Sequence, residues 1–305
     1  MTTASVRVPA KINLSLGVGP LRDDGFHALA TVYQAIDLHD ELRATSTDNG
    51  AFALTVQAEA DPTAEVAEVP FGDDNLAVRA ARLLAEESGT ELGVELALRK
   101  VIPVAGGLAG GSADAAAALV ACNEVWGLGL SKAELEPFAA RLGSDVPFLL
   151  HGGNAIGGGR GETVSPVLSR GSYHWVLAVA SHGLSTPAVY AEFDRLTQGS
   201  EVAEPEVPDE LLAALRAGDA RSLGSLLEND LTDAATSLRP ELADTLAVGR
   251  EAGALGALLS GSGPTCLFLV EDETHGLDVS FALAGASGCA DVIQTRGPVA
   301  GARLV

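Results

Sequence analysis

The sequence predicts an α+β fold in two domains, and three observations predict it. The N-terminal segment up to residue 58 reads as a series of strands, with apolar–polar alternation from Lys11 through Leu16; a glycine-rich run at 103–114 joins an alternating segment to an alanine-rich one; residues 254–295 read strand, glycine turn, strand, helix, strand. A chain of 305 residues buries ample core for one large or two ordinary domains. The pattern breaks at Glu162-Thr163-Val164-Ser165-Pro166, which sets the expected domains at 1–163 and 164–305.

Within residues 5–19, alternation from Lys11 through Leu16 puts Lys11, Asn13 and Ser15 on one strand face and Ile12, Leu14 and Leu16 on the other. Arg22-Asp23-Asp24-Gly25-Phe26-His27 is a turn carrying an aromatic ring and an imidazole. Strands are expected near 29–37, 40–46 and 51–58, then an acidic surface loop from Asp61 to Asp73. Asn75 to Ser88 has helical spacing, with Asp74 as N-cap and Gly89 as stop. Gly93 to Lys100 returns to strand alternation, and Ala113 to Trp126 is helical.

Ser131-Lys132-Ala133-Glu134 has the form of a capping box and opens a helix ending at Gly143. Asp145 follows that stop, where an aspartate either caps a helix or is free for chemistry. A second glycine-rich run, 152–161, contains Arg160. Trp175 to Ala180 reads as a strand, Thr186-Pro187 as a helix entry, and 200–208 as an exposed loop. Helical patterns follow at 209–217, 219–228, 239–252 and 274–285, with strands at 254–259, 266–270 and 290–295.

A net charge of −22 excludes a general nucleic-acid or membrane-surface binder, because both recruit phosphates with basic patches. An anionic ligand therefore needs a local positive site. Lysines are few, Lys11, Lys100 and Lys132. Cys122, Cys266 and Cys289 are odd in number and widely spaced, which reads as thiols in a reducing cytosol rather than a disulfide or zinc framework. No apolar run approaches the roughly 20 residues of a membrane span, and the N-terminus lacks a signal peptide's basic start. The expected location is cytoplasmic.

The stretch Pro103 to Asp114 is where a phosphate is expected. The first N–H groups of a helix lack intrahelical acceptors and carry the positive end of its dipole, and glycine lets an anion come close. Ser112 is placed as N-cap or as a hydroxyl ligand to phosphate or metal. A Walker A loop is excluded, since the nearby Lys100 precedes the loop instead of ending it. A dinucleotide fingerprint fits poorly, because Ile102 and Pro103 separate strand from glycines and a helix follows.

Pro9-Ala10-Lys11-Ile12-Asn13-Leu14, the loop at 103–114 and Ser260-Gly261-Ser262-Gly263-Pro264-Thr265 resemble, in order and separation, the three motifs of the GHMP small-molecule kinases. The resemblance implies the two-domain GHMP kinase fold, an N-terminal ribosomal-protein-S5-like nucleotide domain and a C-terminal ferredoxin-like α/β sandwich. Asp24-Gly25-Phe26-His27, Leu142-Gly143-Ser144-Asp145-Val146-Pro147-Phe148 and Gly183-Leu184-Ser185-Thr186 are similar to the branch whose small-molecule acceptor is a cytidyl-diphosphate-linked methylerythritol. What that implies is ATP-dependent phosphorylation of the acceptor's 2-hydroxyl, with Mg²⁺, in the non-mevalonate isoprenoid pathway.

Carried over residue by residue, Asp145 is the general base and Lys11 its electrostatic partner, while Asn13 orients the sugar alcohol. Pro103, Val104, Ala105, Gly106, Gly107, Leu108, Ala109, Gly110, Gly111, Ser112 and Ala113 hold the ATP phosphates, with Ser112 as metal ligand. Phe26 and Tyr190 sandwich the cytosine, His27 reads its edge and Thr186 adds a weaker contact. Ala105 and Ala109 stand where the pattern has glycines, and Phe26 where tyrosine is more familiar.

Two alternatives share the fold: another GHMP kinase acting on homoserine, mevalonate or a sugar, and a catalytically silent sensor of ATP and ligand. The Gly25-Phe26-His27 and Tyr190 set favours a nucleotide-bearing acceptor over the first. Lys11 and Asp145 together argue against the second. The first motif begins at residue 9, leaving no room for a transit peptide, so a bacterial cytosol is expected. With phosphate attraction supplied by loop dipoles and Lys11, raising ionic strength should change the apparent ATP affinity only modestly; a steep loss in a salt titration would refute this.

Overall fold

The computed structural model describes residues 1–58 and 72–305. The loop expected over 61–73 lies outside the described residues as far as residue 71, and Gly72–Asp74 is a short 3₁₀ turn. The first sheet is built on β1 (Thr3–Leu21), β2 (His27–Thr47), β3 (Phe52–Ala58) and β4 (Gly93–Lys100). The expected strands near 29–37 and 40–46 are one continuous β2. β5 (Asn154–Gly158) pairs with β2 and β6 (Thr163–Pro166) with β5, so the second glycine-rich run, for which no strand was expected, extends the sheet.

The second sheet contains β7 (Tyr173–Ala180), then β9 (Gly256–Leu259), β10 (Cys266–Val270) and β11 (Cys289–Gly297), all antiparallel. Its spatial order is fourth, first, third, second, the order of a ferredoxin-like sandwich. α5 (Thr186–Thr197), α8 (Thr232–Leu238), α9 (Glu241–Glu251) and α10 (Glu273–Leu283) cover one face around Val176, Ala178 and Phe268. Of these, α8 was not legible in the sequence. The expected helix at 219–228 is only α7 (Ala220–Ser225), because Glu228–Asn229, β8, leaves it to pair with β1. No described helix is long and apolar enough to cross a membrane.

The other face of β7 turns Tyr173, Trp175 and Leu177 into the core of the first sheet. Trp175 Nε1–H donates to Gln34 Oε1 (2.8 Å), Gln34 Nε2–H to Asn154 Oδ1 (2.8 Å) and Asn154 Nδ2–H to Ser169 Oγ (2.7 Å). These buried polar groups satisfy one another across the junction and fix how the two sheets meet.

A bulge in β1 corrects one expectation. Asn13 pairs with Tyr33 and Ser15 with Val32, so Leu14 is an extra residue and the alternation slips there. Ile12 and Leu14 stay in the first core, while Leu16 and Val18 enter the second. One strand thereby feeds both cores, and Lys11, Asn13 and Leu16 all border the space between them.

α1 (Leu76–Ser88) is capped by Asn75, whose side chain accepts the Ala77 N–H at 2.9 Å. Asp74, the expected cap, instead ends the 3₁₀ turn. α2 (Gly110–Val125) begins before the expected Ala113, and its N-cap is Ala109 in the left-handed region. Ser112 therefore lies inside the first turn and does not cap the helix. The Ala113, Ala115–Ala118 and Ala121 methyls are fully buried, as expected of a helix that is apolar all round.

A buried ion cluster pins the start of the glycine loop. Lys100 Nζ, at the end of β4, donates to Asp40 of β2 and, at 2.9 Å, to Asp114 of α2. Asp40 also accepts the N–H groups of Val101 (2.6 Å) and Ile102 (2.9 Å). Burial alone would lower the Lys100 pKa, but the two carboxylates more than offset it and raise it. For Asp114 burial dominates over Lys100 and holds the carboxyl well above the usual carboxylate range, with its Oδ1 buried and unpartnered. Asp114 thus binds its proton more tightly folded than unfolded. The stability it supplies is complete below the unfolded carboxyl's pKa, about 4, and is lost as pH rises toward the folded value. Asp114→Asn should melt at a higher temperature than the parent at about pH 8 and at the same temperature near about pH 4, as read by calorimetry across that range.

Candidate active site

The three motifs meet at one cavity of about 930 Å³. One wall is the glycine loop, held by backbone contact with the C-terminal glycine turn. A Cβ on Gly107 would overlap Ser260 O, and one on Gly106 would come within 3.1 Å of Thr265 Oγ1. Thr265 N–H donates to Gly106 O (3.3 Å) and Ser260 Oγ–H to Gly107 O (3.0 Å). Ala105 (φ 53°) and Ala109 (φ 59°) adopt the left-handed backbone that glycine takes at lower cost. The Ala105 methyl lies against Gly183, on which a Cβ would come within 2.8 Å of it.

Of the loop residues expected to hold phosphates, Pro103, Val104, Ala105, Gly106, Gly107, Ala109, Gly110, Gly111 and Ser112 line the cavity. Leu108 and Ala113 do not. Their side chains are wholly buried in the first core, where Leu108 anchors the loop from beneath and its carbonyl accepts the Lys11 N–H at 3.2 Å. The unsatisfied N–H groups opening α2 and the absence of side chains at Gly110 and Gly111 fit a phosphate group.

Across the cavity, Lys11 Nζ donates to Asn13 Oδ1 (2.8 Å) and lies 3.7 Å from Asp145 Oδ2. Asn13 Nδ2–H donates to Thr31 Oγ1 (2.7 Å), and Thr31 to Ser15 O (2.6 Å), so the amide is locked with its oxygen toward Lys11. Asp145 occupies the N-cap position of α4 (Val146–His151) but makes no capping bond with its side chain. Its carboxylate is left to Lys11, and the Tyr33 phenol lies near enough to feel its charge. Burial first, and then that carboxylate, raises the Tyr33 phenol well above its ordinary pKa, so it remains a donor. Its ring packs 5.0 Å from Phe148 and 5.5 Å from Lys11 Nζ.

At the far end, the His27 ring stacks on Tyr190 at 5.3 Å and meets Phe193 edge-on at 5.8 Å. Its Nδ1 lies 2.8 Å from the Gly19 carbonyl, which only accepts, so Nδ1 carries a proton. Nε2 sits 3.3 Å from Asp194. The Tyr190 hydroxyl is pushed up to about 12 by burial and by Asp145. Phe26 is half exposed beneath the Arg160 guanidinium, and Thr186 Oγ1 bonds Ser262 Oγ at 2.8 Å, joining α5 to the glycine turn.

All the expected catalytic and substrate residues, Lys11, Asp145, Asn13, Phe26, His27, Thr186 and Tyr190, thus border the same cavity. Sequence reasoning missed Tyr33, Lys100, Asp114 and Ser262 as lining residues. Tyr33 reads as one apolar position of a strand, and only the pairing register with Asn13 reveals it. Among the described residues no group of three or more His, Cys, Asp or Glu is gathered to hold a metal. The arrangement offers an anion site at a helix start, a carboxylate paired with an ammonium beside it, and an aromatic slot beyond.

The GHMP kinases N terminal domain model matches residues 75–153, and the GHMP kinases C terminal model matches 211–286. A Salinispora arenicola protein named 4-diphosphocytidyl-2-C-methyl-D-erythritol kinase is 56% identical over 98% of this chain and 93% of its own length. A solved 4-(cytidine 5'-diphospho)-2C-methyl-D-erythritol kinase is 32% identical, with a TM-score of 0.75 over 96% of this chain and 99% of that one. A Cytophaga hutchinsonii homoserine kinase reaches a TM-score of 0.76 over 100% of this chain and 98% of its own at 19% identity, a likeness of fold alone. Matched along nearly its whole length, the chain belongs to the 4-diphosphocytidyl-2-C-methyl-D-erythritol kinase family of the GHMP kinases.

Proposed function

We propose that this enzyme transfers the γ-phosphoryl group of ATP to the 2-hydroxyl of 4-diphosphocytidyl-2-C-methyl-D-erythritol, in the cytoplasmic non-mevalonate route to isoprenoids. The observation that carries the reading is the Lys11–Asp145 pair, set between the glycine loop and the aromatic slot in one cavity. A kinase acting on homoserine or mevalonate has no need of a slot for a heterocycle.

In this reading Asp145 accepts the proton of the attacking hydroxyl. Lys11 keeps the carboxylate ionised and offsets charge that grows on the transferring oxygens, while the Asn13 amide aims Lys11 and contacts the sugar alcohol. The loop from Pro103 to Ser112 holds the ATP phosphates through backbone N–H groups, with Leu108 and Ala113 supporting it from the core. The Ser112 hydroxyl is the side chain that would hold Mg²⁺, which would neutralise charge on the ATP phosphates there. Phe26 and Tyr190 stack on the cytosine, His27 reads its edge, and Thr186 closes the slot. Residues 1–163 form the ATP-binding domain in this proposal, and 164–305 complete the acceptor pocket.

The test is ADP release with Mg²⁺ and ATP, offering the cytidyl acceptor, mevalonate and homoserine in parallel. Turnover is expected on the cytidyl acceptor alone, and Asp145→Asn should lower kcat by roughly 10²- to 10⁴-fold with the KM for ATP held. Turnover on mevalonate or homoserine would discard the cytosine slot; undiminished activity in Asp145→Asn would remove that residue as base. A second expectation concerns the strained loop. Ala109→Gly relieves a left-handed alanine and removes a methyl from the phosphate side, so stability should rise by up to about 1 kcal/mol in thermal melts and the KM for ATP should fall.

A further inference from the structure

Arg160 is the cation in the cavity wall that the mechanism above does not use. Among the described residues the cavity is lined by Lys11, Lys100 and Arg160 as its lysines and arginines. Lys11 is engaged by Asn13 and Asp145, and Lys100 by Asp40 and Asp114. The nearest carboxylate to the Arg160 guanidinium is Glu162, at 3.8 Å, and the side chain is 39% exposed. It is a loosely held positive charge in a chain with a net charge of −22.

Its position along the cavity is defined at both ends. Arg160 sits at the tip of the turn joining β5 to β6, between Gly159 (φ 72°) and Gly161 (φ 102°). That turn is tied down by Leu29 N–H to Gly159 O (2.9 Å), Gly161 N–H to Gly158 O (2.9 Å) and Arg160 N–H to Glu162 Oε2 (2.6 Å). A Cβ on Gly161 would overlap the Tyr33 hydroxyl and lie 3.6 Å from Ser144 Cβ, so the turn abuts the residue preceding Asp145. In the other direction, the guanidinium lies 4.7 Å from the centre of the Phe26 ring. Arg160 therefore spans the interval between the reacting end of the acceptor pocket and its aromatic end.

We infer that Arg160 binds the diphosphate of the acceptor and so selects nucleoside-diphosphate-linked alcohols, an inference that rests on the acceptor proposed above. In such a molecule the diphosphate is covalently placed between the base and the alcohol that reacts. With the base at Phe26 and Tyr190 and the hydroxyl at Asp145, the two phosphates cross the interval that Arg160 spans. Seated over one face of Phe26, the guanidinium leaves the other face for the base and offers oxygen acceptors a planar fork of N–H donors that lysine lacks.

The test is steady-state kinetics of Arg160→Gln and Arg160→Lys with ATP and the cytidyl acceptor, together with competitive inhibition by cytidine and by cytidine diphosphate. Arg160→Gln should raise the acceptor KM roughly 10- to 100-fold, leaving kcat and the KM for ATP within about twofold, and Arg160→Lys should recover part of the loss. Cytidine diphosphate should weaken as an inhibitor of Arg160→Gln by a similar factor, and cytidine hardly at all. Equal weakening of both inhibitors would overturn the proposal, leaving Arg160 as a support for Phe26; so would an unchanged acceptor KM alongside normal parent activity. Absence of turnover on this acceptor by the unsubstituted enzyme would overturn the acceptor assignment, and this proposal with it.

Discussion

The site depends on how closely two stretches of bare backbone approach each other. Gly107 carries no side chain because Ser260 O occupies the space that a Cβ would need, and the turn from Ser260 to Thr265 then clasps the loop through two hydrogen bonds. Lys100 and Asp40 fix the strand end at which the loop begins, and Leu108 roots it in the core. The N–H groups opening α2 are thereby aimed before any ligand arrives, and preorganised dipoles are worth most when they need not reorient during reaction. The clasp also explains how a motif near residue 260 reaches a glycine loop about 150 residues earlier in the chain.

Charge is handled locally in this molecule. Acidic residues outnumber basic ones 41 to 19, yet the proposed substrates are both polyanions. The fold answers with short-range devices: a helix start, one ammonium beside the Asp145 carboxylate, and a second ammonium buried between two acids. Tyr33 sets a neutral hydroxyl near Asp145 without adding another charge. These groups act over a few ångströms, where the protein interior strengthens them and mobile ions do not reach.

Much of this was legible in the sequence because it rests on local pattern. The capping box at Ser131 and Glu134, the strand from Gly93 to Lys100 and the order of elements after residue 254 follow from spacing and turn chemistry, and the structure has them. The residues meeting at the cavity were legible only because three motifs resembled a known family. What escaped depends on contacts far apart in sequence. The bulge at Leu14 is set by pairing with β2, and it sent Leu16 to the second core. Tyr33 gained its place through register, and the glycine-rich 152–161 became strand because β2 offered it an edge. Ser112 lost its expected capping role because α2 starts at Gly110.

Tyr33 also ties the inheritance of three distant positions together. Its ring fills the room left by Gly157, and its hydroxyl the room left by Gly161; a methyl group at either glycine would overlap it. Position 33 can therefore hold a large phenol only while both glycines stay bare, and either glycine can grow only after residue 33 has shrunk. A lineage exchanging one arrangement for the other must pass through an intermediate that is either crowded or hollow beside Asp145. Such a passage restricts drift at these sites far more than their separate burial would, so substitutions at 33, 157 and 161 should be found together or not at all.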